Sequence, residues 1–313
     1  MKEVNLPSFF IVGAAKSGTT SLYYYLKQHP QIYLPQYKEI AFLAYVGTKF
    51  EKKSLINNFA NYQKLFKDAL PNQIVGETSS PYLYCYNSTI ENMKRYLTDY
   101  RKIKIIIILR NPTDRAFSHY CMFKLYGLEN LIFEEAIGRK QSWQTKYLKL
   151  IDYLGMGLYY KQIEAYLENF EKVKIFLYED LKNDPQELMR SLLEFLEIDR
   201  NFKIDTGQKF NISGEPRSRL LNAIINNFAH FVFNRKSFVR ETIKNFANLI
   251  IDWDSFWHSF SQPVVNLIEK IRIKNSKQAK INPETRKFLI NYYRDDILKL
   301  QDLIKRDLSS WLG

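Results

Sequence analysis

The sequence is poor in the residues that build disulfide frameworks and metal centres. Its 313 residues include two cysteines, Cys85 and Cys121, and four histidines. The cysteines lie far apart in the chain and show neither a CxxC motif nor the spacing of a metal site. The sequence therefore predicts no disulfide and no zinc site, and two reduced, partly buried thiols.

Long hydrophobic runs are missing as well. The N-terminus carries charge and Pro7 before a short apolar stretch, and the longest run elsewhere, Ile103–Leu109, is interrupted by Lys104. Both stretches are too short for a signal sequence or a membrane span, so we expect a cytoplasmic protein. Internal repeats and low-complexity segments are also lacking, which argues against a repeat architecture.

Positive charge is what the sequence has in excess. Its 46 lysines and arginines outnumber its 33 aspartates and glutamates, for a net charge of +13. This balance favours anionic partners, among them nucleic acids, acidic glycans, nucleotides and anionic membranes. The stretch from Phe228 to Phe260 mixes aromatic residues with lysines and arginines. That region is compatible with packed helices, and also with a surface for glycans or membranes.

The order of apolar segments predicts an α/β fold. Runs of strand length are Phe9–Gly13, Ile32–Leu34, Gln73–Thr78, Ile103–Leu109 and Val173–Tyr178, and helical patterns include Thr19–Gln28, Thr89–Tyr100, Pro185–Glu197 and a final helix capped by Asn282. Unbroken apolar strands are typical of a parallel sheet covered on both faces. We predict a single domain over 1–313, with a P-loop-like parallel sheet flanked by helices and a helical C-terminal third.

The segment after the first predicted strand has the composition of a phosphate-binding loop. It reads Gly13-Ala14-Ala15-Lys16-Ser17-Gly18-Thr19-Thr20. Its glycines permit tight turns, and its small side chains let backbone N–H groups and a helix N-terminus converge on an anion. Lys16 adds a full charge and the hydroxyls add donors. The segment is not a Walker A loop, because its lysine precedes the second glycine.

A second segment places polar side chains after a buried strand. The run Ile105–Leu109 is followed by Arg110, then by a helix that begins near Pro112 and carries Ser118 about two turns later. In open α/β sheets ligands bind at the carboxyl ends of the strands. A guanidinium and a serine hydroxyl there suit a phosphate monoester.

These two segments resemble the 5′-phosphosulfate and 3′-phosphate binding segments of sulfotransferases that use 3′-phosphoadenosine 5′-phosphosulfate (PAPS). The resemblance is to the heparan sulfate and carbohydrate branch, bacterial type. Shorter matches are Lys38–Phe42, Gly76–Tyr82, Leu154–Tyr159, Tyr178–Leu181, Asn211–Pro216 and Arg306–Leu312, whereas Arg217–Lys280 matches loosely. Thr78 stands where that branch commonly has lysine, and the Arg-Lys-Gly motif of the hormone-type branch is absent.

The resemblance implies transfer of a sulfuryl group from PAPS to a hydroxyl or amine, with PAP as the product and a carbohydrate as the favoured acceptor. The implied PAPS-binding residues are Lys16, Ser17, Gly18, Thr19, Thr20, Arg110 and Ser118. The implied catalytic residues are Lys16, which would neutralise the leaving oxygen, and Glu39, which would take the acceptor proton. His119 is the alternative base, and Glu77 is expected to position lysines or the acceptor rather than to titrate. No metal is implied.

Two other functions remain open at this stage. One is a P-loop kinase that uses ATP and magnesium, which the position of Lys16 and the lack of a Walker B aspartate disfavour. The other is a non-catalytic binder of anionic polymers, suggested by the charge alone. Because no nucleic-acid-binding motif is present, we expect no nucleic-acid partner.

Overall fold

The structure is a computed structural model in which two compact units are described. It describes residues 6–49, 51, 56, 58–138, 152–208, 214–218, 220–228, 267–268, 270–277 and 279–313. The first unit draws on Met1–Phe117, Arg139–Asn211 and Asn282–Gly313, and the second on Ser118–Gly138 and Ile212–Ile281. Each unit is therefore built from segments that are distant in sequence.

A five-stranded parallel sheet forms the centre of the first unit. Its strands are β1 (Phe9–Gly13), β2 (Ile32–Tyr33), β3 (Ile74–Thr78), β4 (Lys104–Leu109) and β5 (Lys172–Leu177). They are arranged in the order β2-β3-β1-β4-β5, and every neighbouring pair is parallel. The predicted parallel sheet is confirmed, with strand ends within one or two residues of those expected from the sequence.

Helices separate the strands along the chain. They are α1 (Thr19–Leu26), α2 (Phe42–Tyr45), α3 (Phe59–Gln63), α4 (Pro81–Tyr84), α5 (Tyr86–Tyr96), α6 (Pro112–Leu125), α7 (Phe133–Gly138), α8 (Tyr159–Asn169), α9 (Tyr178–Asn183), α10 (Pro185–Leu196) and a C-terminal helix (Pro283–Ile304). The predicted cap of the C-terminal helix is confirmed, because Asn282 Oδ1 accepts from the Glu284 amide at 2.9 Å. Within the described part of the chain, no helix combines the length and the apolar character needed to cross a bilayer.

Burial of β4 explains its run of isoleucines. Ile105 through Leu109 are all 0% exposed, so both faces of the strand are covered. Ile106 and Ile108 join the core cluster that β1, α1 and α10 form on one face. Full burial of a strand stabilises it through apolar area removed from water on both sides, at roughly 25 cal/mol per Å².

The second unit contains less sheet. Its described residues include α7, part of α6, helical stretches at 220–228 and 270–274, and a short antiparallel pairing of Glu215–Pro216 with Ser276–Lys277. Most of the aromatic and basic region between Phe228 and Phe260 lies outside the described residues. The described residues after 207 are otherwise helical or irregular, as predicted.

The topology brings several loops to one edge of the sheet. Because the strands are parallel, their carboxyl ends at Gly13, Thr78, Leu109 and Leu177 all lie at the same edge. The phosphate-loop segment and Arg110 follow two of these ends directly. The sheet thus gathers there residues that are far apart in sequence.

Candidate active site

The loop between β1 and α1 is held in a tight conformation. Lys16 and Gly18 both have left-handed backbone angles, with φ of 70° and 102°. Its φ of 102° favours glycine, and a Cβ on Gly18 would lie 2.6 Å from Leu181 Cδ2, so the leucine side chain would have to move. The Ala14 amide donates to the Ile108 carbonyl at 2.7 Å, which ties the loop to β4.

Polar groups of this loop are prepared for an anion. Ser17 is fully buried, and within the described residues its Oγ has no partner in hydrogen-bonding geometry. Tyr159 lies near enough to interact with Ser17, but its own hydroxyl donates to the Arg110 carbonyl at 3.0 Å. In the part of the chain that the structure describes, no side chain caps α1 at Gly18, and the positive end of that helix favours an anion. A buried donor without a partner is costly, and an anionic ligand would satisfy it. The loop therefore fits a phosphate or phosphosulfate group.

Arg110 is oriented by three contacts at the end of β4. Its Nη1 donates to the Lys16 carbonyl at 3.2 Å. Its guanidinium carbon lies 4.8 Å from the centre of the Tyr178 ring, a cation–π contact. Its carbonyl accepts a hydrogen bond from the Tyr159 hydroxyl. Burial raises the pKa of Tyr159 to about 12, although the positive charges of Arg115 and Arg110 lower it. Tyr159 therefore remains a neutral donor. The structure places Arg110 beside the loop.

The C-terminal residues stabilise the segments that follow β4 and β5. Asn111 Nδ2 donates to the Trp311 carbonyl at 3.5 Å, and the Trp311 indole donates to Glu179 at 3.2 Å. Arg306 forms an ion pair with Asp180 at 2.9 Å. These contacts give a structural reason for the matches at Tyr178–Leu181 and Arg306–Leu312.

Glu39 lies beside the loop, on the segment before α2. Its carboxylate pairs with Lys38, whose Nζ also lies 3.3 Å from Thr19 Oγ1. The other oxygen of Glu39 accepts from the Ser80 amide at 2.8 Å and from the Ser80 hydroxyl at 2.9 Å. The side chain is 38% exposed, so a solvent-borne acceptor can reach it. The structure therefore brings Glu39 to the same edge as Lys16 and Arg110.

Two predicted residues belong to the second unit. Ser118 is buried on α6, and His119 is buried with its ring centre 4.6 Å from that of Phe123. The assignment of Ser118 to the 3′-phosphate and of His119 as an alternative base stay predictions.

Glu77 has a different environment from the one expected. The sequence predicts that it holds lysines or the acceptor; instead its carboxylate accepts from the hydroxyls of Tyr62, Ser79 and Tyr82 at 2.5–2.7 Å. Burial raises its pKa to about 7, against the lowering effect of these three hydrogen bonds, and the charge of Glu39 raises it further. Glu77 therefore titrates near neutral pH, contrary to expectation.

Sequence reasoning missed the tyrosines around the site. Tyr159 and Tyr178 lie in segments already noted for their resemblance to sulfotransferases, and that signal could have singled them out. Tyr62 lies in no recognised motif, and only the fold brings it to Glu77.

Comparison with known proteins identifies the family. The family model of the sulfotransferase domain matches residues 6–260. The chain belongs to the sulfotransferase family. A solved sulfotransferase from Alicyclobacillus acidocaldarius is 28% identical, with a TM-score of 0.67 over 98% of this chain and 99% of that one. The resemblance stated from the sequence is thereby confirmed.

Curated relatives of this sulfotransferase chain are longer proteins. The membrane-associated sulfotransferase kil1 of Dictyostelium discoideum is 32% identical over 43% of this chain and 29% of its own length. A bifunctional heparan sulfate N-deacetylase/N-sulfotransferase 4 of Mus musculus is 25% identical over 98% of this chain and 31% of its own length. The chain thus spans less than a third of either relative.

Proposed function

We propose that the chain transfers a sulfuryl group from PAPS to a hydroxyl or amine of a carbohydrate acceptor. The observation that carries this proposal is the loop between β1 and α1, with Arg110 beside it. Inside the loop is the buried Ser17 hydroxyl, which has no hydrogen-bond partner among the residues that the structure describes. Membership of the sulfotransferase family supports the reaction class. The name of the mouse heparan sulfate relative supports a carbohydrate acceptor.

The donor-side residues have separate tasks in this proposal. The loop amides, Ser17, Thr19 and Thr20 bind the 5′-phosphosulfate, and Arg110 and Ser118 bind the 3′-phosphate. PAPS supplies an activated sulfuryl group on a phosphate leaving group. Lys16 stabilises the negative charge that develops on the leaving oxygen. Residues held at fixed positions also keep donor and acceptor in line, which lowers the entropic cost of reaction.

Glu39 acts on the acceptor side. Lys38 and Ser80 fix its carboxylate next to the loop, and it takes the proton from the attacking hydroxyl or amine. The sequence implies no metal for this chemistry, because the charges come from Lys16 and Arg110. The cytoplasmic location and a contact with membrane surfaces stay predictions.

The decisive experiment is a transfer assay with radiolabelled PAPS. Purified protein is incubated with N-acetylated, N-deacetylated and O-desulfated polysaccharides, and with small-molecule acceptors, in the presence of EDTA. We expect label on at least one carbohydrate. In parallel, thermal shifts are measured with PAP and with ATP–magnesium. Stabilisation by ATP–magnesium without any effect of PAP would overturn the proposal in favour of a kinase. Salt-sensitive DNA binding without PAP affinity would favour a polymer binder.

A further inference from the structure

We propose that Glu77 is a positioning residue that orders the turn bearing Glu39 (residues 39–43, where α2 begins). It accepts hydrogen bonds from the Ser79 and Tyr82 hydroxyls, so that their oxygen lone pairs face the backbone amides of that turn. The inference rests on the proposed function of Glu39 as the acceptor base. It assigns to the buried carboxylate a role in catalysis without contact with either substrate.

The first half of the network is the set of hydrogen bonds that Glu77 accepts. Its Oε1 accepts from Ser79 Oγ at 2.7 Å and from the Tyr82 hydroxyl at 2.6 Å. Its Oε2 accepts from the Tyr62 hydroxyl at 2.5 Å. Glu77 is 0% exposed, so water does not compete for these bonds. An ionised carboxylate only accepts, and it therefore fixes the direction of all three O–H groups.

The second half links the same hydroxyls to the Glu39 turn. Ser79 Oγ accepts from the Ala41 amide at 3.0 Å, and the Tyr82 oxygen accepts from the Leu43 amide at 3.3 Å. A hydroxyl has one hydrogen, and Glu77 receives it in both cases. The oxygen lone pairs are consequently presented to the backbone of the turn.

This turn needs such support, because its backbone is in an unfavourable conformation. Glu39 and Ala41 have φ of 62° and 52°, in the left-handed region that residues with a side chain rarely adopt. Conformations of this kind persist only where surrounding contacts hold them. The Glu39 amide donates to the Thr78 carbonyl at 3.0 Å, and the amides of Ala41 and Leu43 depend on the Glu77 network.

The charge of Glu77 makes this support sensitive to pH. Three hydroxyl groups face its carboxylate: those of Tyr62 on α3, Tyr82 on α4 and Ser79 after β3. Burial raises the pKa of Glu77 to about 7. The negative charge of Glu39 also raises the pKa of Glu77. A protonated carboxyl group carries its hydrogen on one of its two oxygens. On Oε2 the hydrogen would reverse only Tyr62, whereas on Oε1 it must be donated to Ser79 or Tyr82. The hydrogen of that hydroxyl then turns away from Glu77 and competes with the Ala41 or Leu43 amide for the same oxygen.

The first test is hydrogen exchange, which does not require a working enzyme. Exchange of the Ala41 and Leu43 amides is compared at pH 8 between wild type and Glu77→Gln. We expect exchange about tenfold or more faster in the variant, as local opening becomes easier. The matched control is Tyr166→Phe, which removes another buried tyrosine hydroxyl, one that donates to the Tyr82 carbonyl at 2.8 Å. Unchanged exchange in Glu77→Gln, or an equal increase in the control, overturns the proposal.

The second test is the pH profile of turnover. At pH 8.5, Glu77→Gln should have a kcat reduced by about tenfold or more, with an unchanged Kd for PAP. At pH 5.5 the deficit should vanish, because Glu77 is then neutral in the wild type as well. A double variant, Glu39→Gln with Glu77→Gln, should be no slower than Glu39→Gln alone. A deficit equal at both pH values, or full additivity, overturns the positioning role.

Two further variants keep the tests decisive if Glu77→Gln does not fold. Ser79→Ala and Tyr82→Phe each remove one link to the turn, and each should speed exchange at its own amide, Ala41 or Leu43. Failure of both to do so overturns the proposal. Absence of any transfer from PAPS by the wild type overturns the proposed function instead, while the exchange result still decides what Glu77 does to the turn.

Discussion

Arg110 donates a hydrogen bond to the carbonyl of Lys16 at 3.2 Å, although the two residues are 94 positions apart in the sequence. This bond joins the two segments that carry the proposed donor contacts. It directs the Arg110 guanidinium to the loop, at a residue whose backbone is left-handed. The two proposed phosphate sites therefore depend on each other.

Lys16→Ala tests the stabilisation of the leaving group. Loss of a charge aimed at the developing anion should reduce kcat by more than about a hundredfold. Unfolding by urea should be little changed, because Lys16 lies in a loop and contributes little to the core. Lys27→Ala, at the exposed end of α1, serves as the control and should retain activity. Near-normal turnover of a folded Lys16→Ala protein would remove the proposed role.

Arg110→Ala tests recognition of the 3′-phosphate. Loss of a charge-assisted contact should cost about 1.5–3 kcal/mol of donor binding. The variant should therefore lose its preference for PAPS over adenosine 5′-phosphosulfate, which lacks the 3′-phosphate. Arg101→Ala, an exposed arginine paired with Glu171, is the matched control. Unaltered discrimination in Arg110→Ala would place the 3′-phosphate elsewhere.

Glu39→Gln tests the proposed base. The amide keeps the size of the side chain and can still bond to Ser80, but it cannot take a proton. Turnover should fall by about 10²–10⁴, with PAP affinity changed by no more than a few-fold. If the variant turns over normally, His119→Ala becomes the next measurement.

Gly18→Ala tests the geometry of the loop. The added Cβ would meet Leu181 at 2.6 Å in a backbone conformation with φ of 102°. We expect a loss of stability of about 1–3 kcal/mol and weaker PAP binding. Gly47→Ala separates strain from collision, since its φ is 73° and nothing described lies within 4 Å of the new Cβ. An equal effect of both substitutions would show that strain alone matters.

The pKa of Glu77 predicts how stability depends on pH. Its folded value is raised from 4.5 to about 7, so the native state binds the proton more tightly than the unfolded chain does. The resulting stabilisation is complete below about pH 4.5 and disappears as pH rises through 7, a change on the order of 3 kcal/mol. Urea unfolding of wild type and Glu77→Gln at a series of pH values measures this difference.

Glu197→Gln is the control for that series, because the pKa of Glu197 is shifted in the opposite direction to that of Glu77. Hydrogen bonds from Lys172 and Lys104 lower the pKa of Glu197, so its contribution is present above the unfolded value and lost in acid. The two variants should therefore diverge from wild type in opposite directions as the pH changes. A difference between wild type and Glu77→Gln that does not vary with pH would contradict the buried, titrating carboxyl.

The sequence by itself determined the features that depend on local pattern. The run Ile105–Leu109 requires burial on both faces, and this predicts a central parallel strand. The small residues from Gly13 to Thr20 predict a phosphate loop, because backbone angle and side-chain size are set residue by residue. Arg110 follows its strand directly, and its place at the sheet edge follows from that adjacency.

The tertiary structure alone decided which distant residues meet. Strand order places β3 beside β1, so Thr78 and Ser79 lie next to the loop, and the Glu39 turn packs onto them. Tyr62 reaches Glu77 from a helix with no motif, and Tyr178 reaches Arg110 across the sheet edge. The periodicity of apolar residues specifies which face of a helix or strand is buried, but not which other element packs against that face. Partners are chosen by the packing of the whole core, where burial also decides that Glu77 titrates near 7.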